Sequence, residues 1–452
     1  MKRDSGAKVH FISLGCDKNL VDAEQMMEIL KDKGYILTEN EEEADAIVIN
    51  SCCFIGDAKE ESIETVLEMS RLKEKGVLKA IILAGCLAER YADEIKTELP
   101  EVDAVIGTTA FDRIAEALDK ALKGQSPVIR EDRDRLVFSP GERSIATPGY
   151  YEYLKVAEGC DKRCTYCIIP SVRGAYRSIP MDSLIKDAEY LAGHGVRELI
   201  LIAQETTVYG QDIYGRKALP ELLRRLCRIS GLRWIRIMYA YPEEIDDELI
   251  QVIKEEKKIC KYLDMPVQHA SDPILKKMGR RTSRKDIESL VHKLRREIPE
   301  IALRTTLLTG FPEETEEDHG QLLDFIREMA FDRLGVFTYS PEEGTPAAEM
   351  SGQIPDEIKK RRRDELMAAQ QEVAFRTAEA QIGRELEVIV DGRIPEDHIY
   401  VCRTYRDCPD VDGLLFLPED GISKEILSGD FLKARVIDAK EYDLIGEALG
   451  VL

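Results

Sequence analysis

The sequence predicts an α/β protein in three parts: an N-terminal parallel-sheet domain, a central partial TIM-type barrel of six βα units, and a small five-stranded β-barrel. Three observations support this prediction. Short apolar runs alternate with amphipathic helical patterns through most of the chain. From Gly383 the pattern becomes strand-like, with Asp-Gly and Ser-Gly turns. Three cysteines cluster in GCDKRCTYC directly after the first central strand. We expect domains at 1–140, 146–375 and 378–452.

In the N-terminal domain, a cysteine follows each of the first three predicted strands. These residues are Cys16, Cys52 and Cys86. Since the carboxyl ends of parallel strands meet at one edge of a sheet, we expect the three thiols to converge there. Each alone fits a buried packing cysteine equally well, but three equivalent positions favour a metal cluster. Cys53 faces away from Cys52 in an extended segment and is expected to be packing. The strand runs are 9–14, 46–50, 80–85 and 103–107.

Residues 124–148 are rich in Gly, Pro, Ser and charge, and are expected to link the first two domains. Beyond them, helical patterns separate six further strand-like runs, as in a (βα)6 barrel whose chemistry lies at the carboxyl ends of its strands. A long polar helix then begins near the basic run Lys359–Arg363, which acidic residues flank. We expect this run to form a solvated helix face rather than an RNA site. The six strand runs are 151–157, 198–203, 234–240, 262–267, 303–310 and 334–340.

The loop at 159–167 carries the clearest chemical pattern. Cys160 and Cys164 have three residues between them, and Cys164 and Cys167 have two. Three thiolates in one loop suit a [4Fe–4S] cluster with one iron left without a protein ligand, and such an iron is open to reaction. The alternative is a zinc loop with a distant fourth ligand, although zinc sites usually use two separated ligand pairs.

Polar residues mark the other predicted strand ends. We expect Gln204, Glu205 and Arg304 near the barrel mouth as candidate cofactor contacts, and Gln268 and His269 there as candidate catalytic residues. Each has a plainer alternative. Gln204 and Glu205 fit turn caps, His269 fits a structural histidine, and Arg304 fits an ion pair with a nearby carboxylate.

Charge and cysteine usage restrict the partners and the compartment. The formal charge is −22, which repels nucleic acid and suits a basic protein partner. Residues 381–452 are also acidic, with 16 Asp and Glu against 8 Lys and Arg. The 11 cysteines do not form a disulfide framework, which indicates a reducing cytoplasm. The start, MKRDSGAKVHFISLGC, has too short an apolar run for a secretory signal. No run is long enough to span a membrane.

Several motifs together resemble the methylthiotransferase family of radical S-adenosylmethionine (SAM) enzymes over essentially the whole chain. The resemblance implies an N-terminal methylthiotransferase domain, a radical-SAM domain and a TRAM domain. The sequence departs from relatives at Cys53 and Cys402, usually glycine, and at Cys408, usually alanine. The motifs are SLGCDKN (13–19), INSCCFI (49–55), AGCLAER (84–90), EGCDKRCTYCIIPSVRG (158–174), LIAQETTVYG (201–210), LDMPVQHASD (263–272) and TGFPEET (309–315).

Within the family, two stretches resemble the RimO branch, which methylthiolates an aspartate of small-subunit ribosomal protein S-twelve. These are Asp17-Lys18-Asn19 and RTYRDCPDVDG (403–413). The tRNA-modifying MiaB branch typically has Gln-Met-Asn after its first cysteine. That ribosomal protein is basic, which agrees with the acidic C-terminal barrel.

The resemblance also implies the cofactors. One [4Fe–4S] cluster on Cys16, Cys52 and Cys86 would carry the sulfur. A second on Cys160, Cys164 and Cys167 would bind SAM and generate the radical that removes hydrogen from the aspartate β-carbon, since acid–base chemistry cannot activate such a carbon. An electron donor such as flavodoxin or ferredoxin is implied. The residues implied to contact SAM are Tyr166, Gln204, Glu205, Arg304 and Gly310.

Two other functions stay open on the sequence. One is a tRNA adenosine methylthiotransferase with the same chemistry. The other is a non-enzymatic iron–sulfur electron carrier, although such carriers normally ligate each cluster with four protein residues.

Overall fold

The computed structural model describes residues 6–138, 141, 143–420 and 426–452. Two predictions fall partly outside the described residues. The absence of a secretory signal rests in part on residues 1–5, and the predicted linker includes residues 139, 140 and 142. Within the described part of the chain, no helix is long and apolar enough to cross a membrane.

The N-terminal sheet has six parallel strands in the order β2-β1-β3-β4-β5-β6. β3 and β4 are buried along their whole length because helices cover both faces, which explains their nearly continuous apolar sequences. The short edge strands β2 and β6 were not predicted, and β6 lies inside the stretch predicted as a linker. The elements are β1 (Lys8–Ser13), α1 (Asp17–Asp32), β2 (Ile36–Leu37), β3 (Ala46–Ser51), α2 (Gly56–Glu74), β4 (Ala80–Gly85), α3 (Cys86–Arg90), α4 (Ala92–Glu98), β5 (Ala104–Ile106), α5 (Ile114–Ala121) and β6 (Val128–Ile129).

The central sheet also has six parallel strands, in the order β14-β13-β12-β11-β10-β7. The sheet does not close, so it forms the predicted partial barrel. Its outer face packs on the helices in the largest apolar core of the described chain. The elements are β7 (Tyr151–Lys155), β8 (Ala157–Glu158), α6 (Ile169–Arg173), β9 (Arg177–Ser178), α7 (Met181–Gly193), β10 (Glu198–Ile202), α8 (Gln211–Tyr214), α9 (Leu219–Leu226), β11 (Trp234–Ile237), α10 (Asp247–Glu255), β12 (Ile259–Asp264), α11 (Asp272–Lys277), α12 (Arg284–Glu297), β13 (Ala302–Thr309), α13 (Glu316–Met329), β14 (Arg333–Thr338) and α14 (Asp356–Glu379).

The C-terminal part is a closed barrel in the order β15-β16-β17-β19-β18. All three parts of the predicted fold class are therefore confirmed. α14 ends at Glu379, so the expected boundary between 375 and 378 falls inside its last turn. The strands are β15 (Glu385–Ile394), β16 (Ile399–Thr404), β17 (Leu415–Pro418), β18 (Phe431–Lys440) and β19 (Asp443–Val451).

The basic run at the start of α14 is only partly a solvated face, which corrects the sequence prediction. Lys359 and Arg362 are buried. Arg362 donates to Glu314 Oε1 at 3.1 Å, whereas Arg361 and Arg363 stay exposed beside acidic residues. The sequence could not show the buried Arg362–Glu314 pair, because periodicity identifies a polar helix face but not which of its residues are buried against a partner.

The C-terminal barrel closes the end of the central barrel away from the cysteine loop. Glu198, the first residue of β10, accepts from Arg236 at 2.7 Å and from Arg403 at 2.8 Å. Tyr262 donates to Asp412 at 2.8 Å. Burial alone raises the pKa of Glu198, but the two guanidinium groups outweigh it and hold that pKa below its usual value. Most of the RTYRDCPDVDG stretch is thus part of the protein interior, whereas Asp410 and Val411 are exposed.

Replacing Arg403 by alanine is expected to lower the apparent free energy of unfolding by about 3 kcal/mol, because it removes one partner of a buried carboxylate. The loss should be greatest at neutral pH and should shrink on acidification, since a depressed pKa stabilises the fold only while Glu198 is ionised. Denaturant titration measures it. Arg435→Ala, at an exposed ion pair of the same barrel, should cost much less, because solvent screens that pair. Equal losses in the two variants would contradict the prediction.

Candidate iron–sulfur and SAM site

The structure brings the three N-terminal cysteines to one edge of the first sheet. Cys16 precedes α1, Cys52 follows β3 and Cys86 begins α3. Gly15 has a φ of 85°, and a Cβ there would lie 2.9 Å from Cys52 Sγ. The Cys16 turn therefore rests directly on Cys52, which only a glycine at this position permits.

Asn19 ties the three cysteine turns together, although sequence reasoning did not single it out. Its side-chain amide donates to Leu14 O and to Ser51 O, both at 3.0 Å, next to Cys16 and Cys52. Its carbonyl oxygen lies 3.8 Å from Cys86 Sγ. SLGCDKN contained the signal, since an asparagine one helical turn after a ligand can bond backbone groups that other residues cannot.

Cys53 is fully buried in an apolar core that contains residues of β3 and β4 and also Cys86, and its carbonyl accepts from Arg90 at 3.3 Å. Burial raises the pKa of its thiol to about 11. This placement agrees with the packing role expected for it.

The central cysteine loop is held by backbone contacts on two sides. Cys160 N donates to Gly174 O at 3.2 Å, and Cys167 N donates to Cys164 O at 3.1 Å. Thr165 bonds through its backbone to Met278 O and through its hydroxyl to Lys277 O. Three thiols from nine residues therefore face one small space.

The chemistry of these thiols fits iron–sulfur ligation. Burial raises the pKa of Cys160 and of Cys167 to about 12, and it also raises the pKa values of Cys52 and Cys86. Such thiols stay protonated in an apolar site unless a metal replaces the proton. Within the described ranges, no three His, Cys, Asp or Glu side chains stand close enough to share one metal ion. Thiolates on a cluster bind different irons and so stand farther apart than the ligands of a single ion.

Aromatic residues border the central loop. Tyr241 Oη lies 3.1 Å from Cys164 Sγ, and the Arg280 guanidinium lies 4.2 Å from the centre of the Tyr241 ring. Tyr166 packs against the apolar group that contains Phe311 and Tyr339. The predicted SAM contact Tyr166 therefore also anchors the loop.

Gln204 and Glu205 lie beside the loop, with polar atoms left over. Gln204 Nε2 donates to Glu158 Oε1 at 2.9 Å, while its own carbonyl oxygen has no partner among the described residues. Glu205 accepts from Thr207 N at 2.9 Å, and its Oε2 accepts no hydrogen bond there but lies 3.6 Å from the Lys162 ammonium. Burial raises the pKa of Glu205 to about 7. Unpartnered buried oxygens next to the thiols are suited to a polar ligand such as SAM.

His269 and Gly310 both lie next to Glu314. His269 is fully buried; its Nδ1 accepts from Ser271 N, and its Nε2 makes no hydrogen bond among the described residues, with Glu314 3.8 Å away. Gly310 N donates to the same Glu314 carboxylate at 2.6 Å. Both residues organise the TGFPEET loop around Glu314. Gln268 ends its segment with a φ of 71°, a strained backbone of the kind that clusters at functional sites.

Arg304 is engaged by carboxylates. It donates to Asp264 at 2.7 Å, and its Nε lies 3.5 Å from Asp412 of the C-terminal barrel. This matches the ion-pair alternative. Burial raises the pKa of the nearby Tyr239, the charges of Asp17, Cys16 and Asp264 raise it further, and Arg304 opposes them.

Residues next to Cys16 join the N-terminal domain to the central barrel through Tyr239. Tyr239, with a φ of 60°, donates to Asp17 Oδ1 at 3.2 Å. The Lys18 ammonium lies 3.0 Å from the centre of the Tyr239 ring and 3.0 Å from Asp17 Oδ1. These contacts hold the Cys16 turn over the mouth of the central barrel.

Comparison with known proteins gives the family of each part. Residues 8–107 match the family described as Uncharacterized protein family UPF0004, residues 154–326 match the Radical SAM superfamily, and residues 382–449 match the TRAM domain. A protein of Lachnoclostridium phytofermentans named ribosomal protein uS12 methylthiotransferase RimO is 58% identical, over 98% of this chain and 100% of its own. A protein of the same name from Clostridioides difficile is 47% identical, over 98% and 99%.

Solved structures share the fold at low identity. The radical SAM methyltransferase TsrM from Kitasatospora setae, with cobalamin and a [4Fe-4S] cluster bound, has a TM-score of 0.55 at 15% identity, over 76% of this chain and 77% of its own. The cobalamin-dependent SAM radical enzyme OxsB has a TM-score of 0.52 at 13% identity, over 80% and 56%. Full-length matches at such high identity show that the chain belongs to the RimO family of radical-SAM methylthiotransferases.

Proposed function

We propose that this protein uses two [4Fe–4S] clusters and SAM to add a methylthio group to the β-carbon of an aspartate in ribosomal protein uS12, the S-twelve protein. The observation that carries the proposal is the pair of three-cysteine sets, one at the edge of the first sheet and one at the mouth of the second. Full-length relatives named for the same reaction support the substrate.

In this proposal Cys16, Cys52 and Cys86 hold the first cluster, and the loop Cys160–Cys167 holds the second. When bound, the clusters and SAM supply an electron, a hydrogen-abstracting radical and a sulfur atom. The protein would supply proximity, because Arg173 contacts both Cys86 of the first set and Glu158, which lies two residues before Cys160 of the second. Neither set has a fourth cysteine assigned to it.

We assign the binding of SAM to the unpartnered polar atoms beside the second loop. Gln204 offers a free oxygen to an ammonium or hydroxyl group, and Glu205 offers an oxygen whose nearby cation is Lys162 at 3.6 Å. Tyr166 fixes the loop that carries all three thiols of the second set. Arg304 and Gly310 have their donors engaged by carboxylates, so they hold neighbouring loops in place. Gln268 stays a candidate contact, and His269 a supporting residue.

The surroundings of the reaction are also part of the proposal. The acidic C-terminal barrel suits a basic protein substrate and disfavours nucleic acid. The electron donor is a flavodoxin or ferredoxin, the compartment is the cytoplasm, and the domains span 1–140, 146–375 and 378–452. Four exposed or partly exposed acidic side chains at the barrel surface illustrate the charge: Glu385, Glu419, Asp438 and Glu447.

Incubating reconstituted enzyme, SAM and reductant separately with purified uS12 and with tRNA tests the substrate. Mass spectrometry should show a methylthio group on an aspartate of uS12 and unmodified nucleosides. Methylthiolated nucleosides with unmodified uS12 would favour the tRNA enzyme. Tight cluster loading without any SAM cleavage would favour the electron carrier.

A further inference from the structure

A buried charge network lies between the two cysteine sets. Arg173 Nη1 donates to Asp22 Oδ2 of α1 and to Glu158 Oε2 of β8, each at 3.0 Å. Lys155 Nζ donates to Glu158 at 2.9 Å and also to Asp22. Two cations thus face two carboxylates, all four largely buried, so the network is close to neutral without any cysteine charge.

Arg173 extends this network to the first cysteine set. Its Nε lies 3.4 Å from Cys86 Sγ as a hydrogen-bond donor, and its Nη2 donates to Asn19 Oδ1. Four N–H groups of one planar guanidinium therefore bond four partners, on α1 and α3 of the first domain and on β8 of the second. Its side chain is 1% exposed, which fixes the group in place.

The backbone around Arg173 connects it to the second cysteine set. α6 begins two residues after Cys167 and ends at Arg173. Val172 packs in the same apolar core as Cys86, and its carbonyl accepts from Thr108 of the first sheet region at 3.0 Å. Glu158 directly precedes the Gly159 turn into Cys160. The two ends of the network therefore touch both cysteine sets through short, rigid segments.

We propose that Arg173 is a positioning residue for sulfur insertion. It holds the group bound at Cys86 in register with the SAM site, and its N–H···S hydrogen bond raises the reduction potential of that group. Hydrogen bonds to ligand sulfur favour the reduced, more negative state of a cluster. The inference rests on the proposed function, because it assumes a cluster on Cys86.

Arg173→Lys tests this, since lysine keeps the positive charge but lacks the planar fork. We expect the variant to keep about eight irons per chain and to cleave SAM within about threefold of the wild-type rate. Methylthiolation of uS12 should fall by about 10- to 100-fold, the usual loss for an outer-shell partner. In the Cys160, Cys164 and Cys167 triple-alanine background, an EPR-monitored redox titration should show a lower midpoint potential for the remaining cluster.

Arg143→Lys is the matched control. Arg143 is also buried between the first two sheets, with Nη1 3.1 Å from Glu24 of α1 and a hydrogen bond to Tyr153 O. No described hydrogen bond joins it to a cysteine, so its substitution should leave the midpoint potential unchanged.

An unchanged midpoint potential in Arg173→Lys, or an equal shift in Arg143→Lys, would overturn the inference. Loss of the iron of the first set in Arg173→Lys would also overturn the inference, because a positioning residue that is not itself a ligand should leave the cluster in place. Wild-type enzyme that leaves uS12 unmodified would refute the proposed function instead, and the comparison of midpoint potentials would still decide the role of Arg173.

Discussion

Changing Cys160, Cys164 and Cys167 together to alanine is expected to lower the iron content of reconstituted protein from about eight to about four atoms per chain. It should also abolish SAM cleavage. The physical reason is that the three thiols come from one loop, and no other group of three His, Cys, Asp or Glu side chains in the described chain could replace them as ligands. Anaerobic reconstitution, iron analysis and chromatography of the cleavage products measure both effects.

Cys227→Ala is the matched control for this variant. Cys227 lies in the same sheet-and-helix unit, at the end of α9, and packs against its outer apolar core. It should keep about eight irons and wild-type SAM cleavage. Cleavage that survives the triple change would show that the second cluster is elsewhere.

Much of the site was predictable because parallel sheets place strand ends together. Cys16, Cys52 and Cys86 are far apart in the chain, yet alternation of strands and helices was enough to expect them at one edge. The central loop needed even less, since its ligands are local. The fold class followed from the same periodicity. The strands β2 and β6 were not predicted, because a strand of two residues is too short to show an alternating pattern.

The contacts that join the two sheets were not predictable. Asn19, Arg173 and Lys155 look like ordinary helix and strand residues, and their roles depend on distances between segments more than 130 residues apart in the chain. His269 and Gly310 show the converse: their motifs mark them as candidates, but Glu314 takes up their polar groups. Sequence patterns give residue types at strand ends, whereas hydrogen-bond partners need coordinates.

Changing Cys16, Cys52 and Cys86 together to alanine should separate the two halves of the reaction. We expect about four irons to remain, SAM cleavage to persist and methylthiolation of uS12 to fall to background. The central loop is held by Gly174, Lys277 and Met278, none of which belongs to the first sheet, so its cluster should survive. Iron analysis, SAM cleavage and mass spectrometry of uS12 on one preparation measure the three effects.

Cys53→Ala is the control that distinguishes the two adjacent cysteines. Because Cys53 is buried in the apolar core, whereas Cys52 is the cysteine against which the Gly15 turn packs, loss of Cys53 should cost about 1 kcal/mol of stability and leave the iron content and methylthiolation at wild-type levels. Cys52→Ala should remove the first cluster, since the Gly15 turn rests on Cys52 Sγ. The opposite result, with iron lost only from Cys53→Ala, would reassign the ligand. It would also require the backbone after β3 to change conformation, because Cys52 N and Cys52 O both form hydrogen bonds to the Ser62 hydroxyl.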